Sequence, residues 1–275
     1  MDRVKTGVQG FDELVDGGIP PGFNVLVTGA PGTGKTLFGL EYIYNGAKNG
    51  ENGVLVTLDS KREEVIRQGL VFGWDFESLE KEKKIKILEI PMNKMKLNLF
   101  DMLEEETTEI GAKRLVFDSL LTFAINMDLF AIPLEFGRSG TNAGLSTGEG
   151  VSLAGADKRY RYEVMPTLDE DPKGRAFYKG ISDKRVTYLV VDELAKLHTT
   201  NIIITAATRN GKQMTVDGVS EFSCDGIIEM YNDLIGIKRL RTLSVLKMRE
   251  TGHSPYIHEF EFGKNGLIVK PAESL

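Results

Sequence analysis

The stretch FNVLVT followed by GAPGTGKT constrains the fold more than any other part of the chain. Residues 23–28 are an almost unbroken apolar run, as expected of a strand buried on both faces. Gly29-Ala30-Pro31-Gly32-Thr33-Gly34-Lys35-Thr36 then matches G-x-x-x-x-G-K-[ST], and a helix is expected from about Lys35 to Lys48. Strand before and helix after is the context this pattern requires. Its glycines let the backbone curl so that amides point inward at phosphate oxygens, and the helix N-terminus adds partial positive charge. Lys35 is expected to reach the β- and γ-phosphates of a nucleotide, and Thr36 to offer its hydroxyl to Mg²⁺.

The rest of the chain repeats this rhythm. A short amphipathic patch (Phe11, Leu14, Val15) closed by Gly17-Gly18 and Pro20-Pro21 predicts a short helix and turn before the first strand. Strands are expected at 53–58, 84–90, 114–117 and 201–207, and helices at 62–72, 98–110 and 186–197. Beyond Cys224, strand-like runs fall at 226–231, 238–247, 256–262 and 266–270, with a hairpin turn from Gly263 to Gly266. Alternating strands and helices predict an α/β fold with a mainly parallel central sheet flanked by helices and a C-terminal antiparallel extension. One domain is expected over 1–275, interrupted at about 128–184 by a Gly-, Ser- and Pro-rich insertion that breaks the rhythm.

Bulk properties narrow the setting. A net charge of −6 with 27% charged residues argues against a whole-protein nucleic-acid or membrane surface, while a local basic patch remains compatible. The single cysteine, Cys224, cannot form an internal disulfide, no apolar run reaches the ~18–20 residues of a membrane span, and the first residues lack the apolar core of a secretory signal. The expectation is a cytoplasmic protein without membrane contact.

Asp118 ends the apolar run RLVF, the natural place for an acidic residue that anchors Mg²⁺ beside a phosphate loop. With TGVQGFDELVDGGIPPG, GAPGTGKT, VFGWD at 71–75 and KMRETGH at 247–253, the chain resembles the KaiC-like ATPases of the RecA/RadA P-loop superfamily over about 1–127 and 185–272. The resemblance implies a RecA-like P-loop NTPase core that assembles head to tail, usually as a hexameric ring, with ATP and Mg²⁺ between neighbours. It implies nucleotide contacts at Gly29, Pro31, Gly32, Thr33, Gly34, Lys35, Thr36 and Leu37, and metal binding at Thr36 and Asp118. From the adjacent subunit it implies Lys247, Met248, Arg249, Thr251 and His253, with Lys247 and Arg249 reaching the γ-phosphate. Two cations one residue apart on a strand point the same way, and cations there offset transition-state charge.

The chain departs from this family where relatives commonly carry two adjacent glutamates after the second strand. Asp59 and Ser60 stand there, and Asp59 is shorter by one methylene, roughly 1.5 Å. Glu63 and Glu64 are expected on the first turn of the next helix, where acidic residues favour the dipole. The strand NIIITAA ends in Thr205, Ala206, Ala207 and Thr208, offering hydroxyls where relatives often place Gln or Glu. The expectation is a weak ATPase with Lys35, Asp59, Asp118, Lys247 and Arg249 as its catalytic residues. The alternatives are an ATP-gated assembly module with negligible hydrolysis and a single-stranded DNA-binding paralogue of the recombinases. In the insertion, Lys158-Arg159-Tyr160-Arg161-Tyr162 interleaves cations with aromatics, as single-strand-binding surfaces do, and equally suits a protein partner.

Overall fold

The continuous apolar runs become strands in which every residue is buried: β1 (Asn24–Gly29), β2 (Gly53–Thr57), β4 (Arg114–Asp118) and β5 (Thr200–Ile204). The computed structural model describes residues 2–91, 99–126, 186–207, 215 and 218–272. The expectations attached to the 128–184 insertion, including Lys158 to Tyr162, and to Thr208 lie outside the described residues. With β3 (Ile85–Glu89), β6 (Gly226–Ile235), β7 (Lys238–Met248), β8 (His258–Phe262) and β9 (Leu267–Val269), the described strands form one sheet ordered β3-β2-β4-β5-β1-β6-β7-β8-β9. Every pair from β3 to β6 is parallel, and every pair from β6 to β9 is antiparallel. The mainly parallel sheet with an antiparallel extension is therefore as the sequence leads one to expect.

Side chains alternate across the sheet and feed two cores. Val25, Val27 and Leu55 pack with α1 (Lys35–Lys48), α2 (Arg62–Val71) and α3 (Phe76–Lys81), and the early patch of Phe11, Leu14 and Val15 joins this core beside a 3-10 turn at Asp12–Val15. Leu26, Val54 and Val56 pack with α4 (Leu99–Glu109), α5 (Leu120–Asn126) and a helix α6 spanning 186–196. A fully buried Leu, Ile or Phe contributes about 1.5–3 kcal/mol, so each helix is held by the stripe it presents to the sheet. A four-residue helix, α7 (Ser220–Ser223), precedes β6. Among the described residues no helix is long and apolar enough to cross a membrane.

Two helices escape a periodicity reading. In α3, six residues are too few to establish a period; the helix starts because Asp75 accepts from the Ser78 amide at 3.0 Å. The helix before it ends at Val71, and Gly73 then takes φ +77 where the chain turns. The other helix, α5, follows β4 with only Ser119 between them.

The carboxyl ends of β1, β2, β4 and β5 lie on one edge, where Thr57 is level with Asp118 and Asp118 with Ile204. In open α/β sheets this is the edge at which ligands bind.

Candidate functional site

The loop after β1 turns at once because Gly29 faces the neighbouring strand: a Cβ there would stand 2.2 Å from the Met230 carbonyl oxygen, at φ +155. Thr33 is buried and donates through Oγ1 to the Ala30 carbonyl at 2.9 Å, closing the turn. Pro31 and Gly32 form the exposed outer lip, and Leu37 is buried in the core beneath. The Lys35 ammonium folds back over the loop and donates to the Gly29 and Ala30 carbonyls at 2.8 and 2.9 Å. Gly32, Gly34, Lys35, Thr36 and Leu37 line a cleft of about 370 Å³, completed by Gln68, Phe72 and Phe262.

Asp118 meets this loop from β4, its Oδ2 accepting from Thr36 Oγ1 at 2.7 Å. Burial pushes the Asp118 carboxyl up to about 6, with the Thr36 hydroxyl and Lys35 opposing and the Asp59 charge adding. Burial likewise pulls the Lys35 ammonium down, against the attraction of Asp118. A hydroxyl and a carboxylate in contact form a hard-oxygen pair that suits Mg²⁺, and the ammonium at the loop's mouth suits phosphate oxygens. The residues present fit Mg²⁺ and a nucleoside triphosphate.

The end of β2 is fastened to the same edge by Leu58, whose amide donates to the Asp118 carbonyl at 2.7 Å. Asp59, although exposed, accepts from Ser119 Oγ at 2.8 Å and from Thr122 Oγ1. Ser60 closes a turn instead: its amide and carbonyl both bond the Thr57 hydroxyl, at 3.1 and 2.9 Å. Glu64 accepts from the Lys61 amide at 3.2 Å, and Glu63 lies exposed beside it in the first turn of α2, so both belong to the helix start. On β5 the ladder continues through the Thr205 and Ala207 amides to Val27 and Gly29 at 3.0 and 3.1 Å. Alternation turns Thr205 toward the core that holds Ile203, where its buried hydroxyl has no hydrogen-bond partner among the described residues, and leaves Ala206 on the side of α1.

The cations near the end of β7 lie elsewhere. Register places Lys247 beside Ile227 and hence level with Leu26, three residues back from Gly29 and two strands across, about 10 Å in each direction. Lys247 donates to the Cys224 and Glu221 carbonyls at 2.6 and 3.4 Å, and burial lowers its pKa, with Arg249 adding. Arg249 lies just past the strand and pairs with Asp225 at 2.9 Å. Met248 is buried over Gly226. The following loop is tied to the N-terminal segment, with Arg3 donating to Thr251 Oγ1 at 2.5 Å, the Gly252 amide to Asp16 at 2.8 Å, and the Ser254 amide to the Leu14 carbonyl at 2.8 Å. His253 Nδ1 approaches the Ser254 carbonyl at 3.3 Å. The structure thus gathers Gly29 to Leu37, Asp59 and Asp118 at one edge of the sheet and sets Lys247 to His253 apart from them.

The profile of the KaiC ATPase family matches residues 4–129 and 184–274. The chain belongs to this family. A UPF0273 protein of Aeropyrum pernix is 30% identical over an alignment covering 98% of this chain and 94% of its own. A UPF0273 protein of Thermotoga maritima is also 30% identical, covering 99% and 98%. The circadian clock protein KaiC2 of Synechocystis is 29% identical across 99% of this chain, which spans only 41% of that protein's length. The crystal structure of a KaiC-like protein from Pyrococcus horikoshii superposes with a TM-score of 0.73 at 31% identity, covering 98% of this chain and 99% of that one.

Within this KaiC-type, RecA-like frame, sequence reasoning had missed Ser119, Thr122, Gln68, Phe72 and Phe262. Ser119 directly follows Asp118, which is a usable signal. Phe262 carried none, because only the pairing of β8 with β7 brings it over Gly34.

Proposed function

We propose that this chain binds ATP with Mg²⁺ and hydrolyses it slowly, as a cytoplasmic ring, hexameric by resemblance, with each nucleotide between two copies. The supporting observation is a division of the machinery. Lys35, Thr36 and Asp118 converge at one edge of the sheet, whereas Lys247 and Arg249 lie toward the other, out of reach of the loop in their own subunit. A cation that serves a γ-phosphate from there serves a neighbour's.

In this reading the loop amides and Lys35 bind the phosphates, and Thr36 and Asp118 hold Mg²⁺, which supplies charge neutralisation on the phosphate oxygens. Asp59 orients the attacking water, and the neighbour's Lys247 and Arg249 offset charge that grows on the transferring group. Met248, Thr251 and His253 line the neighbour's side of the nucleotide. The chain is one domain over 1–275, and the 128–184 insertion is where a further protein or nucleic-acid partner would bind.

Slow turnover follows from what surrounds Asp59. Ser60 adds no carboxylate, and on the side of α1 the end of β5 carries Ala206 in place of a polar group. A second reading, in which ATP only gates assembly, draws on the same observation. The deciding measurement is release of phosphate from [γ-³²P]ATP with Mg²⁺, beside Lys35→Ala and Asp59→Ala. Hydrolysis predicts turnover lost in both variants, with ATP binding lost only in Lys35→Ala. Absent turnover with ATP still bound by the parent chain would overturn it in favour of the gating reading.

A further inference from the structure

An exposed carboxylate has no structural need for a partner, since water satisfies it. Asp59 is nevertheless gripped on both oxygens. Ser119 Oγ donates to Oδ2 at 2.8 Å, Thr122 Oγ1 donates to Oδ1, and the Thr122 amide donates to Ser119 Oγ at 3.3 Å. Each hydroxyl has one proton to give. With both protons directed at the carboxylate, the 3.0 Å approach of the two hydroxyl oxygens is proximity, not a third bond. Ser119 is itself buried at 8% exposure and sits at the start of α5, so the grip is anchored on the core and not on a loop. An ionised carboxylate has about four acceptor positions, which leaves two for a water molecule.

We propose that Ser119 and Thr122 are positioning residues that set the Asp59 carboxylate for the water attacking the γ-phosphate, an inference that rests on the hydrolytic reading above. Held by a hydroxyl on each oxygen, the shorter Asp59 side chain is kept where a longer one would reach unaided. In the step itself the water oxygen bonds to the γ-phosphorus as the bond to the bridging oxygen breaks, with that electron pair leaving on ADP. Asp59 accepts the water's proton and releases it to solvent, while the hydroxyl stays on the phosphate.

The test uses the full chain with Thr122→Val, Ser119→Ala and the conservative Thr122→Ser, each checked for an unchanged melting temperature. ATP turnover is measured alongside the affinities for ADP and for ADP with aluminium fluoride, whose complex holds a water in line. Loss of position by about 1 Å costs on the order of a hundredfold. The expected result is a ten- to hundredfold fall in kcat for Thr122→Val and Ser119→Ala with KM for ATP unchanged. ADP–aluminium fluoride binding weakens by a similar factor, ADP binding stays unchanged, and Thr122→Ser restores both readouts. Unchanged kcat in a parent chain that turns over would overturn the inference alone. A parent chain with no turnover sinks the hydrolytic reading and, with it, the positioning role that rests on it.

Discussion

Glu41 lies in the middle of the helix that carries the phosphate loop, and it is a buried acid at 4% exposure. Its Oε2 accepts from the Leu267 amide at 2.8 Å, fastening the β8–β9 turn onto α1. Burial raises its pKa from 4.5 to about 7, with the Leu267 amide opposing. Because the folded value lies above the unfolded one, folding favours the protonated form. That contribution is whole below about pH 4.5 and is lost as pH rises through 7. Glu41→Gln keeps an oxygen for the Leu267 amide and removes the titration. Linkage gives the parent chain a loss of about 1 kcal/mol by pH 5 and about 3 kcal/mol by pH 8, so the gap between variant and parent should widen by about 2 kcal/mol across that interval. For a chain of this length that is roughly 4 °C in melting temperature. Thermal unfolding of both proteins at pH 5.0 and 8.0, followed by circular dichroism, measures it directly. Melting curves separated by the same amount at both pH values would refute the reasoning, and a gap that closes as pH rises would reverse its sign.

Gly46→Ala should destabilise the fold although it sits inside α1: the helix gains about 1 kcal/mol from alanine, but the new Cβ would stand 2.3 Å from Arg114 Cδ and Nε. Arg114 is 1% exposed and cannot yield, being tied to Glu51 and to the Tyr42 carbonyl at 2.8 Å, so overpacking of about 1–3 kcal/mol outweighs the gain, and denaturant unfolding should show a lowered midpoint. Lys35→Ala and Arg249→Ala should each abolish ATP turnover alone, yet recover part of it when mixed, because some interfaces would then join an intact loop to an intact Arg249. Mixtures no more active than either variant would argue against a site shared between subunits.

How much of this was legible in the sequence depends on the distance over which each feature is built. The phosphate loop spans eight consecutive residues and carries its own context, and the buried strands declare themselves as unbroken apolar runs, because a parallel strand covered on both faces has no polar side. Asp118 was readable for the same reason, as the first charge after RLVF. Arg114 opens that run and reads as its polar boundary, yet it is buried and bonded to Glu51, 63 positions away. The grip on Asp59 comes from Ser119 and Thr122, 60 and 63 positions along the chain, and only the register of β2 against β4 joins them. The KMR stretch shows the complementary case. Its sequence announces cations on a strand, but which edge of the sheet they occupy follows only from the antiparallel return of β7 along β6. That return sets Lys247 back from the loop by three residues of strand. A short motif therefore reveals which chemistry is present, whereas strand register determines whether one subunit holds all of it. For this chain the register puts Gly29 to Leu37 and Lys247 to Arg249 on different parts of the surface, and that separation is what supports the proposal of a site shared with a second copy.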